Sequence, residues 1–170
     1  MDVLVSRSSS PPERPSEAPA QVCRPVGTPA ERAEHARIRR EVFVVEQGLF
    51  AADDADEHDD DAATVHVLGL VGGQPAGTVR LYPLADGLWK GDRLAVRRAH
   101  RRSGIGAPLV RFAVAHAGAC GGTRMVASVQ AVNCTFFVRL GWTATGDVFD
   151  LLGMPHQAMS ISLTPTPPAT

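Results

Sequence analysis

The chain has 170 residues, 44% of them hydrophobic and 21% charged, which fits one globular domain with some tail and excludes collagenous, wholly disordered or two-domain readings. Its net charge of -1 hides an uneven distribution: seven of the 18 acidic residues (Asp53, Asp54, Asp56, Glu57, Asp59, Asp60, Asp61) share one stretch, leaving 11 to face 17 basic ones elsewhere. That moderately basic body suits an anionic ligand, without the larger excess and interleaved aromatics that long nucleic acid selects, and no apolar run reaches the ~18 residues of a membrane span.

The three cysteines, Cys23, Cys120 and Cys134, have neither CxxC nor zinc-ligand spacing, so small buried thiols and no metal site are expected. Residues 3–5 (VLV) give way at once to Ser, Pro and Glu, unlike a secretory signal, and the expected compartment is the cytoplasm. Residues 8–25 and 164–170 lack the apolar surface that would offset chain entropy. Residues 1–27 and 164–170 are therefore expected to be disordered tails around a folded domain of residues 28–163.

Thr28-Pro29-Ala30-Glu31 marks a helix start. The Thr28 hydroxyl can accept from the Glu31 N–H, Glu31 can reach back, and Pro29 suits the first helical position. The helix should run to about Val42, with Ile38 and Val42 on one face. After VFVVEQGLF and the acidic stretch, residues 65–71 and 77–84 read as strands joined by a Gly72-Gly73-Gln74-Pro75 turn; in the second, Val79 and Leu81 alternate with Thr78, Arg80 and Tyr82. Asp86-Gly87 turns the chain into a third strand over 89–96. Residues 105–119 carry a helical stripe of Ile105, Leu109, Phe112, Ala113, His116 and Ala117. Pro108 belongs in its first turn, which places the helix start near Gly104. A short strand over 125–129, a helix over 132–140 stopped by Gly141, and strands over 148–151 and 158–163 complete the chain. The order is α, a three-strand meander, α, β, α, β, β: mixed α/β, with an antiparallel start and one βα crossover.

The sharpest chemical signal is RLAVRRAHRRSGIGAPL, residues 93–109. A strand feeds a basic turn, then Arg101-x-x-Gly104-x-Gly106, then a helix. Glycines allow close backbone approach, and a helix N-terminus adds roughly half a positive charge, so this is an anion cradle. Arg97, Arg98, Arg101 and Arg102 add positive charge. The pattern alone is weak, and the strand before it and the helix after it supply its context. GK[ST] is missing, as is a GxGxxG followed by a ribose-binding acid.

In these residues the chain resembles the GCN5-related N-acetyltransferases (GNAT), whose acetyl-CoA signature is [R/Q]-x-x-G-x-[G/A]. The preceding LAV, the downstream VQAVNCTFFVRLGW with its aromatic-x-x-x-Gly-aromatic ending, and IRREVFVVEQGLF followed by acids, His66 and AGTVRLYPL match as well. The last of these, with MPHQAM near the C-terminus, is similar to the ElaA-like branch of small GNAT domains. The resemblance implies the GNAT fold, a mixed central sheet flanked by helices. It further implies that Arg101, Arg102, Ser103, Gly104, Ile105, Gly106 and Ala107 hold the CoA pyrophosphate, and that Leu94, Ala95 and Val96 face the acyl-pantetheine arm. Gln130 stands where most members have Asn. Phe137 stands where many have a Tyr whose hydroxyl protonates the departing thiolate. Homodimers are common in this fold.

The implied activity is transfer of acetyl from acetyl-CoA to a small amine acceptor, by direct attack in a ternary complex. An arriving ammonium must lose a proton, which a carboxylate or imidazole can take. Glu46, in the loop after the first helix, is the first candidate, unless it pairs with Arg39 or Arg40. His156, after Pro155 at a strand entry, is the second, unless its ring makes a structural hydrogen bond. His66 reads as a partly buried strand residue, and His100 and His116 as surface or packing residues. The acidic run fits no EF-hand register, so it reads as a solvated loop or as an attractor for a cationic acceptor. Phe137 and the unassigned base also allow a catalytically weak acyl-CoA-binding sensor or assembly module. An acyl-homoserine-lactone synthase, a relative in fold, is a third reading.

Overall fold

The structure, a computed structural model, describes residues 17–164. Helix α1 (Pro29–Arg39) begins as its sequence dictates: the Thr28 hydroxyl accepts the Glu31 N–H at 3.2 Å, and the Glu31 carboxylate accepts the Gly27 N–H at 2.7 Å. The chain then continues without a break into wider π-type turns over Arg40–Glu46. Strands β2 (Val65–Val71), β3 (Gln74–Ala85) and β4 (Leu88–Val96) form the antiparallel meander. Helix α2 (Gly106–Ala119) crosses over to β5 (Arg124–Gln130), with Pro108 in its first turn. A short helix, α3 (Cys134–Arg139), precedes the hairpin of β6 (Thr143–Leu151) and β7 (Met154–Ser162).

One further strand, β1 (Gln21–Pro25), lies in a segment whose composition predicts disorder. It pairs antiparallel with β2, Cys23 opposite Gly69. An edge strand draws its stability from a neighbour's unpaired backbone groups, which composition does not reveal. The expected tails over 1–16 and 165–170 lie outside the described residues. The last hairpin is also longer than expected, because every residue of β6 is exposed and leaves no burial pattern to read.

The seven-stranded sheet has the order β1-β2-β3-β4-β5-β7-β6, and only the β4/β5 pair is parallel. Helix α2 covers one face over Val67, Val79, Leu81, Ile105, Leu109, Met125 and Met159. Helix α1 covers the other over Ile38, Val42, Phe43, Leu68 and Ala95. The mixed α/β class is as the sequence implies. Gly77 permits the close seat of α2: a Cβ there would lie 2.8 Å from the Ala95 carbonyl oxygen and 2.9 Å from Leu109 Cδ1.

Two histidines meet where α1 packs on the sheet, His35 of α1 and His66 of β2. His35 is fully buried, its Nε2 3.4 Å from the Val79 carbonyl oxygen, and its ring stands edge-on to His66 at 5.0 Å. Burial first, then the neighbouring His66 and Arg39, push its pKa down to about 3. Burial and then Arg32 push His66 down to about 4. In the unfolded chain both protonate near pH ~6.5. Below that value the unfolded state therefore binds more protons than the folded one, and stability falls as pH drops from about 6.5 toward 4. Each histidine contributes up to about 1.4 kcal/mol per pH unit in that window. Urea denaturation across this range should show the decline, and His66→Gln should flatten it.

Candidate active site

Strands β4 and β5 pair only at Leu88↔Arg124, Trp89↔Met125 and Lys90↔Val126, although β4 runs on to Val96 and β5 to Gln130. Beyond Lys90 the two strands part, while β5 stays paired with β7 as far as Gln130↔His156. The gap opens a cleft of about 210 Å³. Phe43, Leu49 and Phe50 line it on the α1 side, and Val110, Ala113, Phe137 and Trp142 on the α2 side.

A bulge in β4 sits beside this opening. Thr78 pairs with Ala95 and Arg80 with Asp92, so two residues, Arg93 and Leu94, oppose Val79 alone. Arg93 has φ 51, a left-handed conformation that costs a non-glycine residue about 1–3 kcal/mol and persists only where its surroundings enforce it.

The acidic stretch does the enforcing. Arg39 of α1, with a side chain only 2% exposed, bonds Asp54 Oδ2 through Nε at 2.8 Å and Asp59 through both Nη atoms. Arg80 of β3, fully buried, makes a double bond pair with Asp92 (2.8 and 2.8 Å) and another with Asp56 (2.6 and 2.8 Å). Arg93 places Nε 2.8 Å from Asp54 Oδ2 and Nη2 3.0 Å from Asp56 Oδ2. Burial opposes ionisation of Asp59, but the hydrogen bonds from Arg39 outweigh it and hold the carboxyl well below the usual range. Burial likewise opposes the Arg80 charge, and Asp92 and Asp56 more than restore it. The stretch is thus a solvated loop only in part: Asp54, Asp56 and Asp59 are spent on arginines, while Asp53, Glu57, Asp60 and Asp61 face solvent. A run of acids in sequence does not show which of them fold inward.

The basic turn forms a short 3-10 segment over Arg98–Ser103, and Gly104 reverses the chain at φ 81 with open space where a Cβ would project. No side chain caps the start of α2. The Ile105 and Ala107 N–H groups make only long bonds, 3.3 Å each, to Ser103 Oγ and the Gly104 carbonyl. These and the Gly106 N–H can turn to an anion, and the residues present fit a pyrophosphate. Gln21 of β1 donates to the Ser103 carbonyl and ties the loop to the sheet edge. Of the four arginines, Arg97 is held by Glu34 and Glu41, and Arg101 by Glu46 at 2.5 Å. Arg98 and Arg102 are exposed and have no carboxylate within 4.0 Å among the described residues. Of the strand end, Leu94 lines the cleft. Ala95 packs toward α1, and Val96 packs toward α2 while its carbonyl accepts Arg101 Nε at 3.2 Å.

The two candidate bases are in different places. Glu46 faces the loop rather than the cleft, and its hydrogen bond from Arg101 lowers its pKa. The sequence suggested an ion pair for it, but with a different arginine. His156 is buried and lines the cleft, with Nδ1 2.9 Å from the Met154 carbonyl oxygen. A carbonyl only accepts, so Nδ1 carries a proton, and in the neutral ring Nε2 is the nitrogen with the lone pair. Phe137 lines the cleft with its ring edge-on to Phe136 at 5.4 Å and to Trp142 at 5.4 Å. Gln130 bonds Gln47 at 3.0 Å, linking β5 to the residues that follow α1. Among the described residues no cluster of side chains could hold a metal ion, and no helix is long and apolar enough to cross a membrane.

Residues 31–142 match the model of the Acetyltransferase (GNAT) family, and the chain belongs to that family. It is 28% identical over 123 residues to the uncharacterized N-acetyltransferase YjcF of Bacillus subtilis, spanning 72% of this chain and 86% of that one. Among solved structures it is similar to an acyl-CoA N-acyltransferase from Pseudomonas aeruginosa (26% identity, TM-score 0.73, 84% of this chain and 99% of that one). Escherichia coli ElaA shares the fold at 20% identity and TM-score 0.74, over 83% of this chain and 99% of that one.

The arginine–aspartate network yields a test of its own. Arg80→Met would strip Asp92 of its bidentate partner and leave Asp56 with Arg93 alone, and should cost about 3 kcal/mol or more in urea denaturation. Glu57→Gln and Asp60→Asn, on the solvent side of the same stretch, should stay within about 0.5 kcal/mol of the parent.

Proposed function

We propose that the protein transfers an acetyl group from acetyl-CoA to a small amine acceptor in the cytoplasm, by direct attack in a ternary complex. One observation carries this reading: the parting of β4 and β5 opens toward the same end of the sheet as the loop that starts α2. A long, thin cosubstrate with an anionic end and a thioester end fits such a pairing of sites. In this reading Arg98, Arg102 and the start of α2 receive the pyrophosphate, and Arg101 leaves Glu46 to join them. The strand end Leu94–Val96 flanks the pantetheine arm. The acceptor ammonium gives one proton to His156 Nε2, and the free amine attacks the thioester carbonyl. The C–N bond forms as the C–S bond breaks, and water relays the second N–H proton to the departing thiolate, since Phe137 has none to give. Glu46, bound to the loop arginine, is better suited to setting the loop's charge than to removing that proton. The likeness to a CoA-dependent acyl-homoserine lactone synthase solved with isopentyl-CoA (20% identity, TM-score 0.66) is one of fold. Phe137 is the one feature that favours a catalytically weak acyl-CoA-binding module instead.

Acetyl-CoA with a panel of amines should release free thiol, and its absence across the panel would favour the binding module. Charge-assisted contacts are worth roughly 1.5–3 kcal/mol, so Arg101→Ala should weaken acetyl-CoA binding about tenfold in calorimetry. Gly104→Asp should weaken it further, because it adds both a side chain and a negative charge. Unchanged affinity in both would remove the loop from the site. A positioned acid typically contributes about 10²–10⁴-fold, so Phe137→Tyr should raise turnover. Its melting temperature should hold if the new hydroxyl reaches the cleft, and fall if it meets only Phe136 and Trp142.

A further inference from the structure

We infer that the amine acceptor carries a carboxylate, as an amino acid does, and that Lys90 binds it; this rests on the acyl-transfer reading above. Three charged residues line the cleft: Lys90, Asp92 and Arg93. Two of them are already neutralised. Asp92 gives both oxygens to Arg80 at 2.8 Å and accepts the Tyr82 hydroxyl at 3.3 Å. Arg93 is held by Asp54 and Asp56 at 2.8 and 3.0 Å. Lys90 has no carboxylate within 4.0 Å among the described residues. It is partly buried, although the most acidic stretch of the chain lies close by.

That contrast is the substance of the inference. An ammonium drawn out of water is unfavourable unless an anion meets it, and the inward aspartates that could have met it are committed to three arginines. What they leave in the cleft is one cation, which attracts an acceptor's carboxylate and repels a simple cationic amine. Lys90 is also well placed. It is the last residue of β4 that pairs with β5, opposite Val126, and so marks the vertex of the opening. Arg93 follows three residues later, about 10 Å along the strand. Lys90 and Asp92 point to one face of the sheet, as alternate strand residues do. An acceptor whose carboxylate meets Lys90 at the vertex can extend its amine toward the bulge, with His156 on the β7 wall of the same cleft.

The test compares each of a set of free amino acids with its decarboxylated amine and its carboxamide, at saturating acetyl-CoA. A charge-assisted contact predicts that kcat/KM favours the amino acid by about tenfold or more, mainly through KM. Lys90→Met should collapse that preference toward unity, and Lys90→Arg should keep it. Equal rates with amino acid and decarboxylated amine, or a preference that survives Lys90→Met, would overturn the inference and leave Lys90 a solvated lysine at the rim. If no compound releases thiol, the acyl-transfer reading fails instead. The carboxylate site is then read by calorimetric titration of the same amino acids into protein saturated with CoA. Binding that Lys90→Met abolishes would uphold it, and no binding by the parent protein would overturn it.

Discussion

Three arginines from separate elements, Arg39 of α1, Arg80 of β3 and Arg93 of β4, converge on four aspartates, and the shape of the cleft depends on that meeting. Arginine suits the task because its planar fork matches a carboxylate with two bonds at once. Arg80 uses the whole fork, with Asp56 on one side and Asp92 on the other. A buried ion pair adds little net stability over well-packed apolar residues, but losing one partner is costly. Such a network therefore fixes a conformation more than it deepens the energy well. Here it fixes Arg93 at a positive φ, and with it the bulge at the edge of the opening.

The two faces of the sheet consequently do different work. On the α2 side, apolar packing of Ile105 and Leu109 against β2 and β3 seats the helix that follows the glycine turn. On the α1 side, charge pairing replaces much of that packing. Tyr82 extends the arrangement, with its hydroxyl on Asp92 and the His58 ring stacked on it at 3.9 Å. Two carboxylates outside the network, Glu46 and Glu41, hold arginines of the basic turn. Of those two pairs, the one at Arg101 is the more exposed, where an ion pair is worth about 0–1 kcal/mol. A bound pyrophosphate can therefore displace Glu46 at small cost.

Most of the elements were legible because each carries a local signal. The Thr28 cap, the Val79–Leu81 alternation, and Pro108 in the first turn of α2 each set a boundary within a few residues. The glycine turn was legible for the same reason: Gly104 takes a positive φ just ahead of α2, near where the motif puts the helix start. What failed to show was non-local. Strand β1 exists through β2's backbone, and β6 lies exposed along its whole length. Arg80 alternates with Val79 and Leu81 as a surface residue would, yet it is fully buried, because its partners come from a stretch 21 or more positions away and from β4. The sequence put Glu46 ahead of His156 as the candidate base. The third dimension separates them, one beside the loop and the other in the cleft.

The bulge held by buried ion pairs sits beside the parted strands, and in the proposed function that opening receives an acyl-CoA. A crystal structure of the protein with acetyl-CoA tests it directly. The account predicts the pyrophosphate over residues 101–107 and the pantetheine arm between β4 and β5. It also predicts the thioester beside Arg93 and Leu94, with Arg93 still on Asp54 and Asp56. An arm lying outside that opening, or an Arg93 released from both aspartates, would contradict it.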